Sequence, residues 1–269
     1  MKKLFLILLI VLPLVLYSQE YKILQNLEFY YQGESKLKIQ GDKILLYNFA
    51  TEEWLDTSNS RYYKFSYKVN ENGFVEVFCN DEKFFLLKTN ITYVDNYRNG
   101  LPVLDKNQLL SIKSSGNFSE KINGKEVDYN VENLRTAVIW GGREDPFWYY
   151  DLNEPFVTKS GNSGIGEYIE LHFVHPQKSI AILGGFVKTS RQDLFRKNNR
   201  IKRVLIKDLD SDYSVEKEFE DIAMFQPILF DKYLSNIRIE IKEVYKGSKY
   251  DDTCISGIMI SNFYPLKNE

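Results

Sequence analysis

Apolar and polar positions alternate with a period of two through much of this chain, and glycine, asparagine and aspartate cut the alternation into short runs. The clearest case is the stretch from Ile239 to Ile260. Ile239, Ile241 and Tyr245 share one parity with charged residues between them, a polar loop follows, and Ile258 and Ile260 resume the pattern. This predicts strand, loop, strand. Within the loop, Gly247 is expected to supply a positive backbone angle, and the Asp251-Asp252 pair to accept amide hydrogens or hold a basic partner.

The first half repeats the theme. Lys36 to Ile39 and Ile44 to Tyr47 flank Gln40-Gly41-Asp42-Lys43 and predict a hairpin. Tyr63 to Val69 alternates, Asn72-Gly73 turns the chain, and Phe74 to Phe78 and Phe84 to Leu87 continue an antiparallel meander. Between Asn107 and Asn117 the composition shifts to Lys, Ser, Gly and Asn, which places a boundary there. The expected organisation is a small antiparallel β domain over residues 20–112 and a second β unit over 113–269. In that unit the glycine-rich turn Gly161 to Gly166 feeds a strand through Phe173, and strands are also predicted over Ser179 to Val187, Asn198 to Ile206, Phe219 to Phe230 and Asn236 to Tyr245. Few stretches have helical spacing. The fold class is therefore all-β, with the second unit a β-sandwich.

Composition narrows the function. The 269-residue chain has a formal charge of -2, which argues against a general nucleic-acid or anionic-membrane surface. Aromatic residues make up 15% of it, a share that suits strands and their packing. Trp54 is expected as a core plug, with stacking on a ligand the alternative. Residues 1–19 read as a signal peptide: Lys2 and Lys3 precede an apolar run from Leu4 to Leu16, and Tyr17-Ser18-Gln19 leads to the cleavage site. No cysteine ends that run, so lipid attachment is not expected, and the product is secreted or periplasmic and does not span a membrane. The two cysteines, Cys79 and Cys254, are expected as buried thiols rather than a disulfide. Asn90-Ile91-Thr92 and Asn117-Phe118-Ser119 match glycosylation triplets.

Catalytic chemistry finds no constellation. Gly161-Asn162-Ser163-Gly164 resembles the nucleophile loop of serine proteases, but His172 and His175 are the only histidines and neither sits in an Asp-bearing motif. Neither a metal site nor a cofactor is implied; two adjacent aspartates without further acidic ligands make a poor calcium loop. The basic cluster of Lys188, Arg191, Arg196, Lys197, Arg200, Lys202 and Arg203 is broken by Asp193 and reads as a solvated face. A structural clamp is expected instead: Glu167 pairing with Arg200 or Lys202, and one of those cations bridging to Asp251 and Asp252.

Five pieces in order, Tyr129 to Leu134, Gly164 to Glu167, Gly185 to Ser190, Asn198 to Lys202 and Tyr245 to Ser256, resemble the discoidin-like, galactose-binding-type jelly-roll sandwich. That sandwich is the translocation and glycan-binding domain of secreted bacterial NAD-glycohydrolases. The NAD-cleaving domain has no counterpart in this chain. The resemblance implies a non-catalytic recognition module for a glycan or a cell-surface protein. Lys188, Ser190, Arg191 and Asn198 would be its polar contacts, with Phe186 or Trp148 the apolar platform. The alternative is a structural or adaptor protein of the cell envelope that uses the sandwich as a protein-contact surface.

Overall fold

The structure is a computed structural model, and it describes residues 21–31, 35–80, 82–87, 109–135, 154–159 and 161–260. The signal segment, Trp148 and the Asn90 triplet lie outside the described residues. The strands are β1 (Glu28–Tyr31), β2 (Ser35–Gln40), β3 (Lys43–Asn48), β4 (Glu53–Asp56), β5 (Phe65–Val69), β6 (Val75–Cys79), β7 (Glu82–Phe85) and β8 (Leu109–Ser114). They continue with β9 (Ser119–Ile122), β10 (Lys125–Asp128), β11 (Phe156–Val157), β12 (Tyr168–Gly184), β13 (Arg200–Asp208), β14 (Ser214–Glu218), β15 (Gln226–Tyr245) and β16 (Cys254–Ile260). One short helix, α1 (Asp193–Lys197), lies between β12 and β13. The all-β fold class holds.

β1 to β4 form an antiparallel sheet in chain order, and β5 to β7 form a second. Leu37, Ile39 and Ile44 from the first sheet meet Phe65, Val75 and Val77 from the second in one buried cluster. Alternation produces this directly, because every second side chain of a strand points to the same face. Trp54 is not in that cluster. It stands opposite Tyr47 on the outer face, so the expected core plug is corrected: its parity is that of Tyr47 and Lys36, not of Leu46 and Leu55.

The larger sheet has seven strands in the order β11-β16-β12-β15-β13-β14, with β8 beside the first half of β12. β12 joins the two strands expected at Gly161–Phe173 and Ser179–Val187, and β15 joins those expected at Phe219–Phe230 and Asn236–Tyr245. Register shifts between His172 and Gln177 and between Gln177 and Ser179 mark the corner. Before the corner β12 pairs with β8, and after it with β16. Residues from both halves, including Leu171, Phe173, Ile180 and Ile182, therefore meet in a single core with Val204, Ile206, Ile239 and Ile258. β8 falls within the stretch expected as a boundary loop. Leu109 and Ile112 are buried there while Leu110 is exposed, a spacing of three produced by the register shift beside Phe173, so period-two reading misses it.

The two β units share buried surface. Phe74 and Leu87 pack with Ala181, Leu183, Phe195, Phe225 and Met259, and Ile222 and Met224 enter the core of the smaller unit. Backbone bonds accompany this packing: the Ala223 amide donates to the Gly73 carbonyl at 2.9 Å and the Phe225 amide to the Leu87 carbonyl at 2.8 Å. β16 is in consequence buried on both faces, which alternation alone does not announce. Cys79 and Cys254 are both buried and lie in separate clusters, with no disulfide between them.

Candidate functional site

At one end of the larger unit three segments are bonded together: residues 161–166, 185–199 and 246–253. The first contains four successive positive φ angles, at Gly161, Asn162, Ser163 and Gly164. Asn162 and Ser163 adopt a region L-residues avoid, so neighbouring contacts must hold them there. Those contacts are present. Ser163 Oγ donates to Asp251 Oδ1 at 2.7 Å and accepts from Lys246 Nζ, and Thr253 Oγ1 donates to the Ser163 carbonyl. A Cβ on Gly164 would sit 2.6 Å from Thr158 Oγ1 and 3.0 Å from Thr253 Cβ, so this position needs glycine for space as well as for φ. The glycine turn and the acidic bend thus belong to one unit.

Asp251 is the anchor of these loops. It also accepts from Lys246 at 2.7 Å and Asn199 at 3.1 Å, and those bonds, Lys246 first, pull its carboxyl down to about 2. All three donors converge on Oδ1, and among the described residues no cluster of three metal-ligating side chains occurs. Gly247 does not take the positive φ expected of it. A Cβ there would lie 2.4 Å from the Lys197 carbonyl oxygen, so close backbone approach is what requires the glycine.

The expected clamp has different partners. Arg200 meets neither aspartate of the 251–252 pair. Its Nε and Nη2 bond the two carboxylate oxygens of Asp221 at 2.9 and 2.7 Å, and its Nη1 bonds the carbonyls of Asn198 and Lys246. Arg196 joins the same carboxylate and reaches the Glu71 carbonyl of the smaller unit. Lys202 pairs with Glu243 at 2.9 Å, and Glu167 bonds Ser115. Arg200 begins β13, and its guanidinium spans the Asp221 carboxylate and the backbone carbonyls of Asn198 and Lys246, so it meets the backbone of the loops and not the carboxylates of Asp251 and Asp252.

Asp252 has no ion pair or side-chain hydrogen bond among the described residues. Burial, with Asp251 and Glu120 nearby, raises its carboxyl pKa. Glu120 lies on the hairpin of β9 and β10, whose flanking Phe118 and Tyr129 join Phe186 from the turn after β12 in a group of three rings. Tyr129 stacks on Phe118 with centroids 6.2 Å apart and meets Phe186 edge-on at 6.4 Å, over Val157 and Cys254. Tyr129 is buried and donates its hydroxyl to Glu120 at 2.9 Å, whereas Phe118 and Phe186 are half-buried. Burial first, then Glu120, raises the Tyr129 pKa. This mouth combines apolar ring surface with carboxylates that accept hydroxyl hydrogens, the chemistry by which proteins hold polyols.

Of the residues singled out in sequence, Phe186 lies in this mouth and Lys188 at its rim, paired with Glu154 at 2.9 Å. Ser190 is exposed in a short turn, and Arg191 is engaged by Asp193 through two bonds of 3.1 and 3.2 Å. Asn198 is turned inward: 7% exposed, it donates to the Leu194 carbonyl of α1. Phe118, Glu120 and Asp252 were not read as ligand contacts. The Asn123-Gly124 pair, with both φ positive, is the signal that predicts the hairpin bringing the first two there. His172 bonds Asn236 and Ser163 bonds Asp251 and Lys246, so histidine and serine are engaged separately.

The larger unit, the antiparallel sheet that carries this end, is where the similarity to known proteins falls. Residues 150–261 match the family model described as the NAD glycohydrolase translocation F5/8 type C domain, in agreement with the resemblance of the five sequence pieces. Among solved structures, the chain is similar to the family 32 CBM from C. perfringens NanJ in complex with galactose, at 11% identity, covering 60% of this chain and 97% of that one, TM-score 0.39. It is similar also to CBM32-1 from a family 31 glycoside hydrolase of Clostridium perfringens (13% identity, 58% and 96% covered, TM-score 0.32). A third is GH31 CBM32-2 bound to GalNAc (14%, 57% and 98%, TM-score 0.33). No curated protein matches.

Proposed function

We propose that this is an exported, non-catalytic recognition protein that binds carbohydrate at the mouth formed by Phe118, Phe186, Glu120 and Asp252. The observation that carries the reading is the half-buried carboxylate of Asp252, without a bonded partner among the described residues; Asp252 and Phe186 lie in the segment that matches a translocation F5/8 type C domain, and Phe118 and Tyr129, which complete the ring surface, lie ahead of it. A sugar hydroxyl donating to Asp252 would relieve the cost of its burial, and the apolar face of the pyranose would cover Phe186. Export rests on the Lys2 to Gln19 pattern, and among the described residues no helix is long and apolar enough to cross a membrane. We place the junction of the two units ahead of β8.

A glycan array probed with the full chain tests this. Binding that is lost in Phe186→Ala and in Asp252→Asn supports it; equal binding by these variants overturns it. A second reading, an adaptor that presents the same end to a protein, is favoured by the pairing of Lys188 and Arg191 within the chain and by the burial of Asn198. A folded chain that binds no glycan on the array supports the adaptor.

A further inference from the structure

The outer face of the β1–β4 sheet carries a surface that the recognition mouth does not explain. Register places Lys38, Leu45 and Asp56 in one cross-strand row and Tyr47 opposite Trp54 in the next. Lys36 Nζ lies 5.5 Å from the ring centroids of both Tyr47 and Trp54, and Lys38 Nζ lies 5.1 Å from that of Trp54. Tyr47 and Trp54 are 5.1 Å apart, and Phe49 stands edge-on to Tyr47 at 5.0 Å with 60% of its surface exposed. Lys36 and Lys43 have carboxylate partners, Glu28 and Asp56, but Lys38 has none among the described residues. Among the described residues its ammonium is held over the indole alone.

We propose that this face is a second glycan site, specific for an anionic polysaccharide of carboxylate-bearing pyranose units. The rings of Tyr47, Phe49 and Trp54 offer the apolar surface that a pyranose covers with its C–H face. Lys38 supplies the cation that a uronate carboxylate at the ring edge would pair with, and the indole face already favours that cation's position. A neutral sugar leaves Lys38 unanswered. Lys36 and Lys43 are each answered by a carboxylate, so Lys38 is the cation this face leaves for a ligand, whereas the mouth leaves the carboxylate of Asp252. The two sites therefore select different sugars, and a chain with both would bridge distinct glycans.

The test is calorimetric titration of the full chain with a galacturonic acid trimer and with its fully methyl-esterified form, at low and at physiological salt. The inference expects binding of the acid form that weakens with salt, no heat with the ester, and at least about a tenfold loss in Lys38→Gln, the scale of one charge-assisted contact. Trp54→Ala should abolish binding; Trp54→Phe, which keeps a ring, should retain part of it and covers the case in which the alanine variant does not fold. Asp252→Asn should leave this titration unchanged, which separates it from the mouth. Equal binding of acid and ester, an unaffected Lys38→Gln variant, or no heat with the acid trimer overturns the inference.

Discussion

Replacing Asp221 by alanine removes the one carboxylate that holds two guanidinium groups at the seam between the β units. The Arg200 side chain is 7% exposed and that of Asp221 17%. Breaking a buried pair by deleting one partner costs about 3–5 kcal/mol, because the other charge stays desolvated. Arg200 keeps two carbonyl acceptors, at Asn198 and Lys246, and Arg196 is the more exposed of the two cations. The expected loss is therefore lower, about 2–4 kcal/mol. For a chain of this size that corresponds to a fall in melting temperature of roughly 5–15 °C. Thermal and urea unfolding followed by far-ultraviolet circular dichroism measures it, and the shared core predicts that both units unfold in one transition. Arg200→Met combined with Asp221→Ala should cost less than the sum of the single changes. A single-variant loss under about 0.5 kcal/mol, or strict additivity, would refute the view that this pair is a buried latch.

Glu220 accepts from the Ile23 amide through one oxygen while the other is buried without a bond, and burial raises its carboxyl pKa. The folded state then holds the proton more tightly than the unfolded one, so stability falls as pH rises through the window between the ordinary and the raised pKa. Glu220→Gln should stabilise the protein at pH 7 and do nothing below that window; equal effects at pH 3.5 and 7 in paired melts would contradict this. Asp252 follows the same sign: Asp252→Asn should be neutral or stabilising at pH 7 in urea titrations, where a clamp residue would lose stability. Gly164→Ala should cost about 2–4 kcal/mol from backbone strain and overpacking against Thr158, read as a lower urea midpoint at unchanged slope.

Strands whose two faces differ in environment were legible, because a face turned to water forces the alternation seen at Lys36–Tyr47 and Ile239–Tyr245. β16 and the second half of β12 are covered on both sides, and there the run is simply apolar. The interlock of the units was not legible, since Ala181, Leu183 and Met259 look like ordinary core residues until Phe74 and Leu87 are placed over them. The Asp251 loop was found but its partners were not. Charge pairing depends on side-chain direction at the ends of strands, and Asp221 sat inside a run that reads as strand. Phe186 belongs to one of the ordered sequence pieces, while Phe118 and Glu120 come near it only through the turn of the β9–β10 hairpin.

Backbone chemical-shift mapping of the intact chain, titrated with a glycan that it retains on the array, tests the recognition mouth most directly. The account predicts that the largest changes fall at Phe118, Glu120, Phe186, Lys188 and Asp252. Changes centred on the corner at Val174 and Tyr233, with the mouth silent, would contradict it.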